Sequence, residues 1–187
     1  MIYPGIDVTS LPKPLSYEER GAYYLSVGRC IPYKKFELLV DTFNENGKPL
    51  ILVTNTNNKL YRKLKAKSKT NIEWKLWISR EEITKLYSEA KAFVFPPEED
   101  FWLVPLEAMA SWTPVIAYWV GWALETVVHQ KTGVFFEKQT PESLNETIER
   151  FETMNWDTKT IRKHAENFDK EIFKEKIEAC IEEKLKS

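Results

Sequence analysis

The stretch PPEEDFWLVPLEAMASWTPVIAYWVGWALET, residues 96–126, decides the fold. Glu99 and Glu107 bracket seven residues, and Glu107 begins a run of small residues, 107–111, that favours a helix. This run lies between two apolar runs that are typical of strands buried on both faces. A strand, a helix and a strand in this order predict part of a parallel sheet with crossover helices.

The rest of the chain shows the same alternation of short β-rich runs with helical patterns, which indicates the α/β class. Helical spacing of apolar residues is clearest in residues 36–44, 59–67 and 79–89, and Ser79 with Glu82 forms a capping box. Further helices are predicted from Thr140 onward. We expect a Rossmann-like sheet of six parallel strands with flanking helices, the strands being residues 23–27, 50–53, 72–76, 92–95, 115–117 and 134–136.

The amino-acid composition excludes several classes of function. The 187 residues are 43% hydrophobic, which is enough for one domain with a sizeable core. Lys and Arg number 27 against 28 Asp and Glu, so the net charge of −1 gives no overall attraction to nucleic acid. The longest apolar runs are far shorter than a membrane span, and the first residues do not resemble a signal peptide. We therefore expect a cytoplasmic protein with neither nucleic acid nor membrane as a partner.

The cysteines and histidines do not indicate a metal site or a disulfide. Cys30 and Cys180 lie far apart in the sequence, and His129 and His164 are the chain's two histidines. This spacing does not match known zinc-ligand patterns, and two distant cysteines are typical of reduced thiols. We expect no metal and no cofactor.

The paired glutamates, the small-residue run and the flanking strands resemble the donor-binding, C-terminal half of glycosyltransferase family 4, including its mannosyltransferase-like members. The family pattern reads E-x-F-G-L-x-x-x-E-A-M-A-x-G-x-P-V-I-A, followed by a Gly-Gly turn and E-T. The resemblance runs from about Ile2 to the end of the chain. It implies the C-terminal half of a GT-B fold and the binding of a nucleotide-diphosphate sugar by a retaining enzyme.

A second motif, GRCIPYKK at residues 28–35, follows the first predicted strand. Ligands of α/β sheets gather at the carboxyl ends of the strands, so a basic loop is well placed there to meet a phosphate. In the family, the Arg and Lys of G-R-x-x-x-x-K hold the donor diphosphate, which implies this role for Arg29 and Lys34. By itself the motif is more typical of two solvated basic residues at a helix start, and the paired glutamates at the matching distance favour the functional interpretation.

The resemblance implies roles for three residues of the opening stretch. Glu107 matches the glutamate that accepts hydrogen bonds from the nucleotide ribose. Glu99 matches the glutamate near the donor sugar and is the candidate catalytic residue. Gly121 is the glycine that remains in the turn facing the diphosphate.

Residues 2–8 resemble the segment that joins the two halves of family members, and residues 11–21 are rich in proline and charge. We therefore predict a linker-like segment at 1–21 and a single Rossmann-like domain at 22–187. In this interpretation the acceptor-binding half is missing, and the chain alone is not catalytically competent. The alternative is a natural single-domain protein with an N-terminal arm.

Tryptophans occupy or flank positions where the family has glycines. Glycine permits positive φ and lets backbone N–H groups approach a phosphate closely, whereas tryptophan adds a Cβ and a large ring. Trp102 and Trp112 replace glycines of the pattern, and Trp119 and Trp122 flank Gly121. Trp77 ends the third strand, where Leu-Gly is usual.

Each tryptophan by itself is typical of a core or rim residue. Together, their positions predict an aromatic surface at one edge of the sheet. The second interpretation of the chain is therefore an engineered binding protein on this scaffold. Its remodelled cleft would contact a protein, a peptide, another copy of itself or an apolar ligand.

A third possibility concerns Cys30, which lies between Arg29 and Lys34. Nearby positive charge lowers the pKa of a thiol, so the sequence suggests a reactive cysteine in a designed enzyme. The sequence assigns no base to it.

Overall fold

The computed structural model describes residues 3–8, 17, 20–99 and 103–186, with Lys186 described by its backbone alone. Six strands form its sheet: β1 Tyr24–Val27, β2 Leu50–Thr54, β3 Ile72–Leu76, β4 Ala92–Phe95, β5 Val115–Tyr118 and β6 Gly133–Phe136. All neighbouring strands pair in parallel, in the order β3-β2-β1-β4-β5-β6. The predicted Rossmann-like α/β fold is confirmed.

Helices connect the strands and complete the chain: α1 Phe36–Asn46, α2 Lys59–Lys67, α3 Arg80–Glu89, α4 Val104–Ala110, α5 Ala123–Thr126, α6 Pro141–Glu152, α7 Thr158–Glu166 and α8 Lys170–Lys186. The predicted capping box is present, because the Ser79 hydroxyl accepts from the Glu82 N–H and the Glu82 carboxylate accepts from the Ser79 N–H. None of the helices in the described part of the chain has the length and apolar character needed to cross a bilayer.

The core lies on both faces of the sheet. Every residue of β2, β4 and β6 is buried, and large side chains such as Leu52, Phe93 and Phe136 are almost completely excluded from solvent. Burying one such side chain contributes about 1.5–3 kcal/mol. The near-continuous apolar strands of the sequence are explained by this burial.

The strand order reverses direction between β1 and β4, which are neighbours at the centre of the sheet. From β1 the chain moves outward to β2 and β3, and from β4 it moves outward to β5 and β6. Such a switch point leaves a crevice beyond the carboxyl ends of the two central strands, where ligands of α/β proteins bind. The loops that begin at Gly28 and Pro96 meet at this crevice.

Residues 3–8 pack on the start of α8. The Ile6 N–H donates to the Phe168 carbonyl at 2.9 Å, and the Lys170 N–H donates to the Ile6 carbonyl at 2.9 Å. A Cβ on Gly5 would lie 2.4 Å from the Lys170 Cα, so this close approach requires glycine. These contacts attach the described part of the expected linker to the domain, and the boundary between residues 21 and 22 stays a prediction.

Candidate functional site

Lys34 and Glu99 form an ion pair at the central crevice. Lys34 ends a single 3-10 turn, Pro32–Lys34, in the loop after β1, and Lys35 with φ 57° closes this turn. Glu99 follows β4. The Lys34 residue is only 2% exposed and the Glu99 side chain 11% exposed. The structure thus brings together two predicted site residues from separate motifs and removes both charges from most of the solvent.

The backbone of Glu99 is held by the turn after β5. The Trp122 N–H donates to the Glu99 carbonyl at 2.8 Å. Gly121 has φ +70°, and a Cβ there would lie 2.7 Å from the same carbonyl oxygen. Gly121 is therefore required for the position of the Glu99 loop. The diphosphate contact expected of Gly121 stays a prediction.

Arg29 lines a cavity of about 210 Å³ at the carboxyl ends of β1, β2 and β3. The walls are mostly apolar, with Trp77, Ile78 and Ile83 on one side and the backbone of Gly28 close by. The Arg29 guanidinium is exposed and donates to the Tyr33 hydroxyl at 3.3 Å. Arg29 is therefore an exposed cation at the mouth of an apolar cavity, in the loop that also carries Lys34.

Thr54 organises the turns beside this cavity. Its hydroxyl accepts from the Cys30 N–H at 3.1 Å and from the Thr56 N–H at 3.2 Å. Its carbonyl accepts from the Trp77 N–H at 3.2 Å. One threonine thereby links the ends of three loops that line the crevice.

Glu107 is half-buried on α4. The helix begins at Val104, so the expectation that Glu107 begins it is wrong by three residues; Pro105 in the first turn favours the earlier start. The Tyr87 hydroxyl donates to the Glu107 carboxylate at 3.5 Å. Burial raises the pKa of Glu107, and the charge of Arg80 and the Tyr87 hydrogen bond only partly oppose this rise.

Glu107 and the cavity adjoin the same face of α3. Ile83 lines the cavity, and Tyr87 contacts Glu107. These α3 residues are four positions apart, which is about 6 Å along a helix. Sequence reasoning missed Tyr87, because a contact between two helices leaves no signal in either helix alone.

Cys30 is completely buried, and burial raises the pKa of its thiol to about 11. The prediction of a lowered pKa is therefore wrong. Its sequence neighbour Arg29 is exposed, and burial is what sets the direction of the shift in the pKa of the thiol. Among the described residues, no three His, Cys, Asp or Glu side chains group closely enough to hold a metal ion.

Trp77 and Trp119 are the two tryptophans exposed at the carboxyl edge in the described ranges. Trp77 is 62% exposed with φ 49°, and Trp119 is 48% exposed and packs edge-on against Phe135, with 4.8 Å between ring centroids. Trp77 follows β3 and Trp119 follows β5, so their strands are separated by four strand spacings, or about 19 Å. Trp102 lies outside the described residues.

Trp112 and Trp122 do not join an exposed aromatic surface. Trp112 precedes β5 and so lies at the opposite edge of the sheet, where its carbonyl accepts from Arg20 at 2.8 Å. Trp122 is 5% exposed and packs edge-on against Tyr3 with 5.0 Å between ring centroids. The expectation that the tryptophans form one contiguous surface is therefore wrong for those that the structure describes.

Trp77 and Trp112 nevertheless have backbone conformations that favour glycine. Their φ angles, 49° and 68°, lie in the left-handed region that L-residues rarely adopt. Trp112 is the position where the family pattern has glycine, and Trp77 is where Leu-Gly is usual. The backbone conformation expected for glycine is thus kept while the side chain is tryptophan.

The chain matches the family model described as Glycosyl transferases group 1 over residues 7–175. An uncharacterized glycosyltransferase of Methanocaldococcus jannaschii is 28% identical over 182 residues, which cover 94% of this chain and 50% of that protein. The chain therefore spans about half the length of this curated relative.

Solved glycosyltransferases share the fold. A glycosyltransferase from Rickettsia africae superposes with a TM-score of 0.85 at 19% identity, covering 100% of this chain and 57% of that one. HepE of Anabaena, solved in complex with UDP and glucose, gives a TM-score of 0.79 at 19% identity over 97% of this chain and 56% of that one. The sheet is that of GT-B glycosyltransferase structures, and because the family model matches most of its residues, this chain belongs to the glycosyl transferases group 1.

Proposed function

We propose that the chain is the donor-binding domain of a retaining, family 4 glycosyltransferase with mannosyltransferase-like ancestry. It binds a nucleoside-diphosphate sugar at the crevice between the carboxyl ends of β1 and β4. The observation that carries this proposal is the meeting of Lys34 and Glu99 at the switch point of the sheet. The relative HepE, whose structure holds UDP and glucose, supports the ligand class by analogy.

Arg29 and Lys34 are the cations that we assign to the diphosphate. When the bond between the sugar and the diphosphate breaks, the electron pair stays on the diphosphate oxygen, so its negative charge grows. Positive groups that are already in place stabilise that charge without reorganisation. Lys34 is held in place by burial and by Glu99, and Arg29 lies at the mouth of the neighbouring cavity.

The cavity beside Arg29 is the place that we assign to the nucleobase. It combines apolar walls with a polar residue, Asn55, which suits a flat heteroaromatic ring. Glu107, on α4, contacts Tyr87, which lies about one helical turn along α3 from Ile83 in the cavity wall. This placement suits the ribose of the same nucleotide. An ionised Glu107 carboxylate accepts hydrogen bonds from the ribose hydroxyls.

We further propose that residues 1–187 bind the donor but do not transfer its sugar by themselves. GT-B enzymes react the donor and the acceptor in a cleft between two halves. The support is that this chain spans about half the length of its relatives. Nucleotide-sugar binding without sugar transfer to any acceptor tested is the expected behaviour of the purified chain.

Isothermal titration tests the proposal. The purified chain is titrated with UDP-glucose and GDP-mannose, and the titration is repeated with Arg29→Met and Lys34→Met. Binding to the unaltered chain that falls about tenfold or more in each variant is expected, since each removes a charge from the diphosphate. Lys131→Met is the matched control, because Lys131 is exposed near the amino edge of the sheet. Failure of the chain to bind either ligand, or an equal loss in the control, contradicts the proposal.

A second candidate is a binding module that uses exposed tryptophans on an engineered form of this scaffold. The left-handed backbone of Trp77 and Trp112 favours it, because tryptophan rarely arises where the backbone needs glycine. The exposed Trp119 is then the contact to a protein or to a second copy. Molar mass measured by light scattering between micromolar and millimolar chain tests self-association. A mass that rises for the unaltered chain and not for Trp119→Gly supports it, and a constant monomer mass contradicts it.

A further inference from the structure

We propose that Glu99 discriminates between a nucleotide sugar and a free nucleoside diphosphate, because its carboxylate competes with the diphosphate for Lys34. This inference rests on the proposed donor site. It assigns to Glu99 a role in ligand selection and in product release that is separate from any part in bond breaking.

The starting point is the buried contact. Lys34 and Glu99 are joined to each other, and neither charge is well screened by water. A phosphate that reaches the Lys34 ammonium must therefore replace the carboxylate or lie beside it. In both cases a carboxylate and a phosphate, two anions, share one cation.

The backbone of Glu99 is attached to the turn after β5. Its carbonyl is bonded to the Trp122 N–H at 2.8 Å, and Gly121 packs directly against the same carbonyl. These two contacts hold the Glu99 backbone and leave the side chain to rotate. The carboxylate therefore remains within a side-chain length of Lys34 in the bound state.

What the displaced carboxylate meets depends on the ligand. A nucleotide sugar brings hydroxyl groups next to the diphosphate, and a carboxylate that accepts from a hydroxyl recovers a charge-assisted hydrogen bond. A nucleoside diphosphate brings no such hydroxyl and carries an additional negative charge on its terminal phosphate. Glu99 is then left facing an anion, so the nucleoside diphosphate binds less tightly than the cations alone would allow.

The consequence concerns turnover. In the transfer reaction the bond from the sugar carbon to the diphosphate oxygen breaks, and the electron pair goes to that oxygen. The sugar carbon bonds to the acceptor's hydroxyl oxygen, which gives up its proton, and the sugar hydroxyls leave with the transferred sugar. The product that remains is the ligand which Glu99 disfavours. Glu99 thereby assists the release of the nucleoside diphosphate.

Glu99→Gln tests this, with Glu98→Gln as the matched control, since Glu98 is the exposed neighbour. Dissociation constants are measured for UDP and UDP-glucose and for GDP and GDP-mannose. For the pair that binds, the ratio of the nucleoside diphosphate constant to the nucleotide-sugar constant is expected to fall about tenfold in Glu99→Gln, as the loss of one nearby like charge predicts. The ratio should not change in Glu98→Gln.

The outcomes separate the inference from the proposed function. If the unaltered chain binds and Glu99→Gln weakens both ligands equally, Glu99 merely holds Lys34 in place and the inference is overturned while the donor site stands. If the unaltered chain binds neither pair, the proposed function fails. In that case inorganic pyrophosphate probes Lys34 directly, and the measurement is the rise in melting temperature when pyrophosphate is added. If this rise is no larger for Glu99→Gln than for Glu98→Gln, the inference is overturned as well.

A second variant covers the possibility that Glu99→Gln does not fold, because it leaves a buried lysine without its counter-charge. Lys34→Met combined with Glu99→Gln replaces the ion pair by two neutral side chains, a change that proteins often tolerate. Lys34→Met alone also weakens the attraction for the additional charge of the nucleoside diphosphate, so the double variant is compared with Lys34→Met. A lower ratio of dissociation constants in the double variant is expected, and equal ratios in the two variants overturn the inference.

Discussion

Gly121 packs against the carbonyl oxygen of Glu99 so closely that a Cβ at position 121 would lie 2.7 Å from it. This distance is shorter than real Cβ contacts allow, and Gly121 also has φ +70°. Gly121→Ala is therefore expected to cost about 2–4 kcal/mol of unfolding free energy, the sum of left-handed strain and a steric clash. Urea denaturation measures the cost.

Gly47→Ala is the matched control. Gly47 has nearly the same angle, φ +69°, but apart from its neighbours along the chain no atom of the described residues lies within 4 Å of the position of its Cβ. It should lose only the strain contribution of about 1–2 kcal/mol. Equal losses at the two positions would mean that the contact with Glu99 does not constrain the turn. Weaker nucleotide-sugar binding is expected for Gly121→Ala alone, since only this glycine positions Glu99.

Trp119→Gly should lower the free energy of unfolding more than Trp77→Gly does. Trp77 is largely exposed and has φ 49°, so glycine relieves about 1–2 kcal/mol of strain and loses little buried area. Trp119 does not have a positive φ angle, so glycine relieves no strain there. Its ring packs on Phe135 and His129. Its removal should cost about 1–2 kcal/mol. Thermal and urea unfolding of both variants give the comparison, and a larger loss in Trp77→Gly contradicts it.

The sheet could be predicted from sequence because its signals are local. The apolar run at residues 92–95 predicts a strand and forms β4, and the capping box of Ser79 and Glu82 requires only a spacing of three residues. Buried parallel strands are apolar throughout, so they are visible in the sequence even without alternation. These features depend on neighbours along the chain.

The environments of the tryptophans depend on distant residues and were not predictable in the same way. Trp122 is buried by Tyr3, which lies at the other end of the sequence. Trp112 is different: it precedes a strand, and this order alone places it at the amino edge of the sheet, away from the crevice. The contact between Lys34 and Glu99 joins two recognised motifs, but its burial followed only from the structure.

Glu107 makes stability fall as pH rises. Its pKa in the folded state is raised by burial, so the folded chain binds its proton more tightly than the unfolded chain. The resulting stabilisation is complete below the ordinary glutamate pKa and is lost as pH rises through the raised value. Glu107→Gln removes this dependence. Relative to the unaltered chain, it should gain stability between pH 4 and pH 7, as measured by urea unfolding at each pH.

Nucleotide binding should show the opposite trend with pH, because the Glu107 carboxylate accepts from the ribose only when it is ionised. Affinity of the unaltered chain is expected to rise from pH 4 to pH 7. Glu107→Gln should flatten this rise, and Glu81→Gln, an exposed change on α3, should not. A rise that is unchanged in Glu107→Gln contradicts the assignment of Glu107 to the ribose.

Glu152, at the end of α6, makes stability depend on pH in the opposite sense. Partial burial acts to raise its pKa, but hydrogen bonds from Lys48 at 2.7 Å, Lys91 at 2.6 Å and Tyr24 at 2.8 Å outweigh this and lower the pKa to about 2. The stabilisation is therefore present above pH 4.5 and lost as pH falls toward 2. Glu152→Gln should cost about 1.5–3 kcal/mol at pH 7 and progressively less at pH 4 and pH 3. Glu149→Gln, an exposed change on the same helix, should cost much less at every pH, so a constant cost for Glu152→Gln would show that the carboxylate charge does not matter.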